Sequence, residues 1–147
     1  MRLLIVCQAV DSEHPNLGFF VSWLREFAKR CEHLVVIANH VGTYSLPSNV
    51  TVVSLGKEHG EGRISRYVRF VRYIVMYASQ YDAVFCHMNP EFVIAGAWWW
   101  RLTGKRVALW YVHGTVSLRL RFALLFSHAA FTVNEESLRV KSRKVHY

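Results

Sequence analysis

Residues 2–9 read Arg2-Leu3-Leu4-Ile5-Val6-Cys7-Gln8-Ala9, and residues 33–39 read His33-Leu34-Val35-Val36-Ile37-Ala38-Asn39. Both are continuous apolar runs of strand length, which suits parallel strands covered on both faces; half-buried strands alternate instead. Between them, from Gly18 to Arg30, Phe20, Trp23, Leu24, Phe27 and Cys31 recur at three- and four-residue steps. That spacing makes one helix face, and Lys29 and Arg30 suit its C-terminal end. The segment therefore reads as a β-α-β unit.

Outward from this unit the alternation continues. Val50 to Leu55 reads as a third strand, introduced by Pro47, Ser48 and Asn49. Arg63 to Ser79 reads as a helix and Asp82 to His87 as a fourth strand. Asn89-Pro90 then breaks the strand and opens a helix that runs to about Thr103 and ends at Gly104. Arg106 to Val112 is a fifth strand, Val116 to Ser127 a helix, His128 to Val133 a short strand, Asn134 to Lys141 a helical turn, and Lys144 to Tyr147 the start of another strand. The pattern predicts an α/β fold: a Rossmann-like, doubly wound, mainly parallel sheet flanked by helices. With 147 residues and no linker or repeat, the expectation is a single domain over residues 1–147.

Composition narrows the function. The net charge of +8 favours anionic partners. No nucleic-acid recognition motif accompanies the charge, so no nucleic acid is expected. The longest uncharged apolar stretch, Phe92 to Trp100, has nine residues, against the ~20 that a membrane-spanning helix needs. The three cysteines, Cys7, Cys31 and Cys86, form no C-x-x-C pair, so neither a metal site nor a disulfide framework is implied. A cytoplasmic location fits, peripheral to the inner membrane face if the basic surface described below is used. The hydrophobic fraction of 52% leaves apolar surface for a partner.

In sheets of this type, ligands sit beyond the carboxyl ends of the strands. The first such loop, Val10 to Gly18, lacks the G-x-G-x-x-G of dinucleotide enzymes and offers only Gly18. Gly18 either lets a backbone amide approach an anion or simply permits a tight helix entry. The fourth strand ends in His87-Met88-Asn89-Pro90-Glu91. His87 and Asn89 can hydrogen-bond sugar hydroxyls; Asn89 equally suits a helix cap. The fifth ends in His113-Gly114, where an imidazole can act as base or donor. Asn134 and Glu135 follow the sixth, where Glu135 can reach a cleft or favour a helix start.

The helix from Arg63 to Ser79 places Ile64, Val68, Val71 and Val75 on one face, expected to pack on the sheet. Arg66, Arg69, Tyr73 and Tyr77 then fall outward, flanked by Arg63, Phe70 and Arg72. Such a surface suits an anionic bilayer or a solvated face with snorkelling arginines. Of Trp98, Trp99 and Trp100, at least one is expected at a rim or interface.

The set Trp110-Tyr111-Val112-His113-Gly114-Thr115, then a basic helix, then Thr132-Val133-Asn134-Glu135-Glu136-Ser137, with Met1 to Val6, Gly18 and Asp82 to Pro90, resembles the N-terminal domain of GT-B fold glycosyltransferases of family 4. The resemblance implies the acceptor-binding half of a retaining enzyme that passes a sugar from a nucleotide-sugar donor to a glycan or lipid-linked acceptor. It implies no cofactor and no metal. His113 matches the histidine that positions the transferred sugar, and Gly18 a glycine near the donor phosphates. His87, and Asn134 or Glu135, match acceptor-side edges, which Asn89 adjoins. It further implies that the donor-binding C-terminal domain is absent from these residues and comes from further chain or a separate subunit. The half alone is then inactive. The alternative is a non-catalytic Rossmann-like module that docks on a membrane surface or protein partner.

Overall fold

The computed structural model describes residues 1–147 and divides into two compact units, Met1–Asp82 and Ala83–Tyr147. The first contains β1 (Arg2–Val10), α1 (Phe19–Arg30), β2 (His33–Val41), β3 (Val50–Ser54) and α2 (Arg63–Met76), with short 3-10 turns at Lys57–His59 and Ala78–Gln80. Its strands run parallel in the order β3-β2-β1, with Leu4 opposite Val35 and Val36 opposite Val52. Leu4, Ile5, Leu34 and Ile37 of the strands are fully buried, as are Phe20 and Leu24 of α1 and Phe70 and Ile74 of α2. Each such side chain contributes roughly 2 kcal/mol of transfer free energy. The Tyr81 hydroxyl donates to the Ile74 carbonyl at 2.7 Å and anchors the end of α2.

The second unit contains β4 (Ala83–His87), α3 (Pro90–Leu102), β5 (Arg106–Trp110), α4 (Leu118–Phe126), β6 (Ala129–Phe131) and β7 (Val145–His146). These strands are also parallel, in the order β4-β5-β6-β7. Pro90 sits at the start of α3, where its missing N–H costs nothing. The Ser117 hydroxyl caps α4 by accepting from the Leu120 N–H at 3.2 Å. Of the tryptophan run, Trp100 is fully buried and Trp98 is half exposed. The segment after β6 forms a hydrogen-bonded turn at Asn134–Ser137 and no helix. In both units parallel strands alternate with helices, which is the Rossmann-like α/β architecture the sequence predicts.

One expectation is reversed. On α2 three of the four residues expected to face the sheet, Ile64, Val68 and Val75, stand in solvent, Ile64 at 83% exposure, and Val71 is half-buried. The buried residues are Phe70 and Ile74. Arg66 and Arg69, expected to point outward, are half-buried and bound, Arg66 to the Asn39 carboxamide oxygen at 3.2 Å and Arg69 to Glu61. Tyr73 and Tyr77 are also half-buried, with their rings tilted to each other at 6.3 Å between centroids, while Arg63 and Arg72 remain exposed. Burial of the large Phe70 ring with Ile74, together with partners for the two guanidiniums, outweighs the exposed stripe. No helix is long and apolar enough to cross a membrane.

Candidate functional site

In the first unit, the carboxyl ends of β1 and β2 enclose a cavity of about 450 Å³ lined by Gln8, His14, Asn16, Leu17, His40 and Lys57, with the Ala9 backbone region between. The loop leaving β1 is built by Asp11. One of its carboxylate oxygens accepts from the Glu13 N–H at 3.0 Å and the Thr43 N–H at 3.2 Å, while the other lies 3.6 Å from His40 Nε2. The Glu13 backbone donor, with the Thr43 donor and His40 beside it, holds the Asp11 carboxyl below its ordinary range despite partial burial. This packing needs a glycine at position 42, because a Cβ there would overlap the Asp11 carboxyl group. The Ser12 N–H donates to the Thr43 carbonyl at 2.7 Å, so the exits of β1 and β2 are sewn together.

His14 completes the loop. Its Nδ1 accepts from the N–H groups of Asn16 and Leu17 at 3.3 and 3.2 Å. A neutral ring used this way carries its proton on Nε2 and is a donor there. The His14 and His40 rings meet edge-on with centroids 6.2 Å apart. Across the cavity, the Gln8 carboxamide oxygen accepts from Asn39 Nδ2 at 3.1 Å, and Asn39 in turn accepts from Arg66. The half-buried arginine of α2 thus fixes a polar wall of the cavity at one remove.

Gly18 closes the same loop, but not by offering its amide. Its N–H donates to the His14 carbonyl at 3.0 Å, and a Cβ would lie 2.7 Å from the Ser12 carbonyl oxygen. The glycine is required for a close approach of backbone to backbone. The anion-facing role expected for it meets an amide that is already used.

The second unit brings together three strand exits. The Met88 N–H donates to the Trp110 carbonyl at 2.8 Å, and the Val112 N–H approaches Met88 Sδ at 3.2 Å, which joins the exits of β4 and β5. Met88 holds a left-handed backbone at φ 60°, a strained position of the kind that gathers at functional sites. Gly114 lies against the turn after β6, near the Glu136 carbonyl and the Arg139 guanidinium. His113 is exposed, with its ring edge-on to Tyr111 at 5.7 Å. Asn134 uses its side-chain oxygen to accept from the Ser137 N–H at 2.8 Å. Glu135 lines a cavity of about 250 Å³ with Arg139, Lys141 and Tyr147.

His87 and Asn89 meet the acceptor-edge expectation differently: both are buried, at 3% and 0% exposure. Burial lowers the His87 imidazole to about 4, so it is neutral at pH 7. Asn89 occupies the cap position of α3, yet its amide donates to the His87 carbonyl at 3.1 Å and caps nothing. Neither side chain faces a dissolved ligand. Sequence reasoning also passed over Asp11, His14, His40 and Lys57. They come from the loop after β1, the end of β2 and the 3-10 turn at Lys57, and share no motif; the signal available was the polar richness of residues 11–16 beside a strand end.

No protein-family model matches the chain, and no curated protein sequence does. Solved structures do. The UDP-GlcNAc 2-epimerase of Methanocaldococcus jannaschii aligns with a TM-score of 0.63 at 16% identity, over 99% of this chain and 45% of its own. The Anabaena protein Alr3699/HepE, solved in complex with UDP, aligns at 0.59 and 15% identity over 93% and 39%. The UDP-GlcNAc 2-epimerase of Neisseria meningitidis, bound to UDP-GlcNAc, aligns at 0.58 and 10% identity over 99% and 45%. The fold is theirs. That fold is a Rossmann-like α/β fold, and the chain spans less than half the length of each of these structures.

Proposed function

We propose that the chain is the acceptor-binding half of a retaining glycosyltransferase, working with a donor-binding half to move a sugar from a nucleotide-sugar to a glycan or lipid-linked acceptor. The observation that carries this reading is the polar cavity at the carboxyl ends of β1 and β2, where folds of this type take their ligands. The GT-B-like fold supports it, since structures sharing that fold were solved with UDP or UDP-GlcNAc. The family-4 motifs around His113 add the reaction class. In this reading His113, exposed on the loop after β5, contacts the transferred sugar. Gln8, His14, Asn16 and His40 hold acceptor hydroxyls through a mix of donors and acceptors. Glu135 and Asn134 edge the acceptor side in the second unit.

The test is transfer of a labelled sugar from a nucleotide-sugar when the chain is combined with a donor-binding half. His113→Ala is expected to lower turnover at least tenfold. Unchanged turnover removes His113 from the mechanism, and no transfer with any donor half removes the function.

A second reading is favoured by α2 itself. Ile64, Val68, Val75 and Met76 are exposed, Arg63 and Arg72 are exposed with them, and the helix carries no acidic residue. Such a face fits an anionic lipid surface. Flotation with acidic liposomes is expected to carry the chain upward and to fail for Ile64→Ser/Val68→Ser. Equal flotation of both proteins would exclude this helix as the contact.

A further inference from the structure

The cavity behind β1 and β2 is polar in a biased way. Its lining offers one ammonium, Lys57, two imidazoles, His14 and His40, and two carboxamides, Gln8 and Asn16. No carboxylate lines it. Three acidic side chains sit on the surrounding loops: Glu13 is exposed and does not line the cavity, and Asp11 and Glu58 are each held by other partners. Asp11 accepts from two backbone N–H groups and faces His40. Burial works against the Glu58 charge, but donation from the Ser54 hydroxyl and from backbone N–H groups, Val41 among them, keeps its carboxyl below its ordinary range. Lys57 has no such partner and is exposed at the mouth. His14 presents an Nε2–H donor, because its Nδ1 is held as an acceptor by two backbone amides.

A neutral saccharide needs donors and acceptors in comparable number. A carboxylate or phosphate ester needs donors only, and a cation near it strengthens each hydrogen bond. The inventory here is weighted to donors and positive charge. Gln8 contributes an oxygen already taken by Asn39. A net charge of +8 draws anions to the whole surface, and a concave site with one sign of charge concentrates that attraction.

We propose that this cavity binds the negatively charged group of an acidic saccharide, a sugar bearing a carboxylate or a phosphate ester, as the acceptor of the reaction proposed above. The inference rests on that reading and narrows it to a substrate class. Lys57 supplies the charge, His14 Nε2–H and Asn16 donate to the anionic oxygens, and His40, oriented by Asp11, closes the set. The pocket is pre-built, since the Asp11 and His14 bonds within the loop and the Ser12 bond to Thr43 need no ligand.

The test is a ¹H–¹⁵N NMR titration of the 147-residue chain with four probes: glucose 6-phosphate, glucuronate, glucose and inorganic phosphate. One or both charged sugars are expected to shift the amides of Gln8, Asn16 and Leu17 with a Kd at least tenfold below that of glucose. Lys57→Gln is expected to weaken that binding at least fivefold, Lys57→Arg to retain it, and Lys29→Gln, on α1, to leave it alone. Glucose binding as tightly as the charged sugars overturns the acidic-acceptor inference and leaves the acceptor-binding function standing. Inorganic phosphate matching glucose 6-phosphate also overturns it, because the site then reads charge without sugar. If no saccharide shifts these amides, the inference and the acceptor reading of this cavity fall together.

Discussion

The loop after β1 and the loop after β5 each leave the carboxyl end of a parallel strand in their own unit, yet they are built in opposite ways. Residues 11–18 are tied by Asp11 to Glu13 and Thr43, by Ser12 to Thr43, by His14 to Asn16 and Leu17, and by Gly18 to His14. Residues 112–117 leave His113, Gly114 and Thr115 exposed, and their internal tie is a long 3.5 Å bond from the Tyr111 hydroxyl to the Thr115 carbonyl. The first loop spends its polar groups on itself and makes a fixed cavity. The second keeps its histidine uncommitted. A fixed wall suits recognition, and a loosely held one suits a group that completes its contacts only with substrate present.

Glycine substitutions test this contrast most strongly. Gly42→Ala forces a methyl into the Asp11 carboxyl group and is expected to cost about 3 kcal/mol, at the upper end for overpacking. Gly114→Ala meets its nearest atom at 3.3 Å and is expected to cost less than about 1 kcal/mol. Urea unfolding of the two variants measures the difference. Equal losses would show that the second loop is as rigidly packed as the first.

The next effect is in pH. The His87 imidazole is lowered to about 4 in the folded chain, against about 6.5 when unfolded. Below pH 6.5 the unfolded chain binds the proton that the folded chain refuses, so stability falls as pH falls from 6.5 toward 4 and is fully present above that window. From pH 7.5 to 5 the loss is about 2 kcal/mol. His87→Leu is expected to flatten this part of the profile, and an unchanged slope would place the proton uptake elsewhere. Asp11 acts in the same sense at lower pH: its lowered carboxyl favours the folded chain above the ordinary carboxylate range and loses that contribution in stronger acid.

The smallest effect concerns the only side-chain helix cap in the second loop. Ser117→Ala leaves the Leu120 N–H without its acceptor and is expected to cost about 1 kcal/mol. A loss below the error of the measurement would mean that water replaces the hydroxyl and that the loop is looser still.

How much of this was legible in the sequence differs by level. The strands were, because continuous runs such as Leu3–Val6 and Leu34–Ala38 have one reading in a parallel sheet. The orientation of α2 was not. Two apolar stripes compete on it, Ile64–Val68–Val75 and Phe70–Ile74, and the choice is made by Asn39 and Glu61, which lie outside the helix and give Arg66 and Arg69 somewhere to go. The first-loop cavity was legible only as a place. Its chemistry depends on His40 and Lys57 meeting His14 across sequence gaps of 26 and 43 positions, and no local pattern encodes that. Gly18 carried two readings, and its close backbone approach to Ser12 and His14 fits the tight helix entry rather than the anion.

The outward stripe of α2 also has a colloidal consequence. A helix that shows Ile64, Val68, Val75 and Met76 to water makes the dissolved chain self-attracting even at high net charge, because short-range apolar contact acts inside the distance over which salt screens repulsion. Solubility should therefore fall as salt rises, contrary to the usual salting-in of a basic protein. Ile64→Lys with Val68→Glu should restore it, as static light scattering across a salt series would record. Crowding, storage and crystallisation of this chain are then governed by one helix face rather than by its charge.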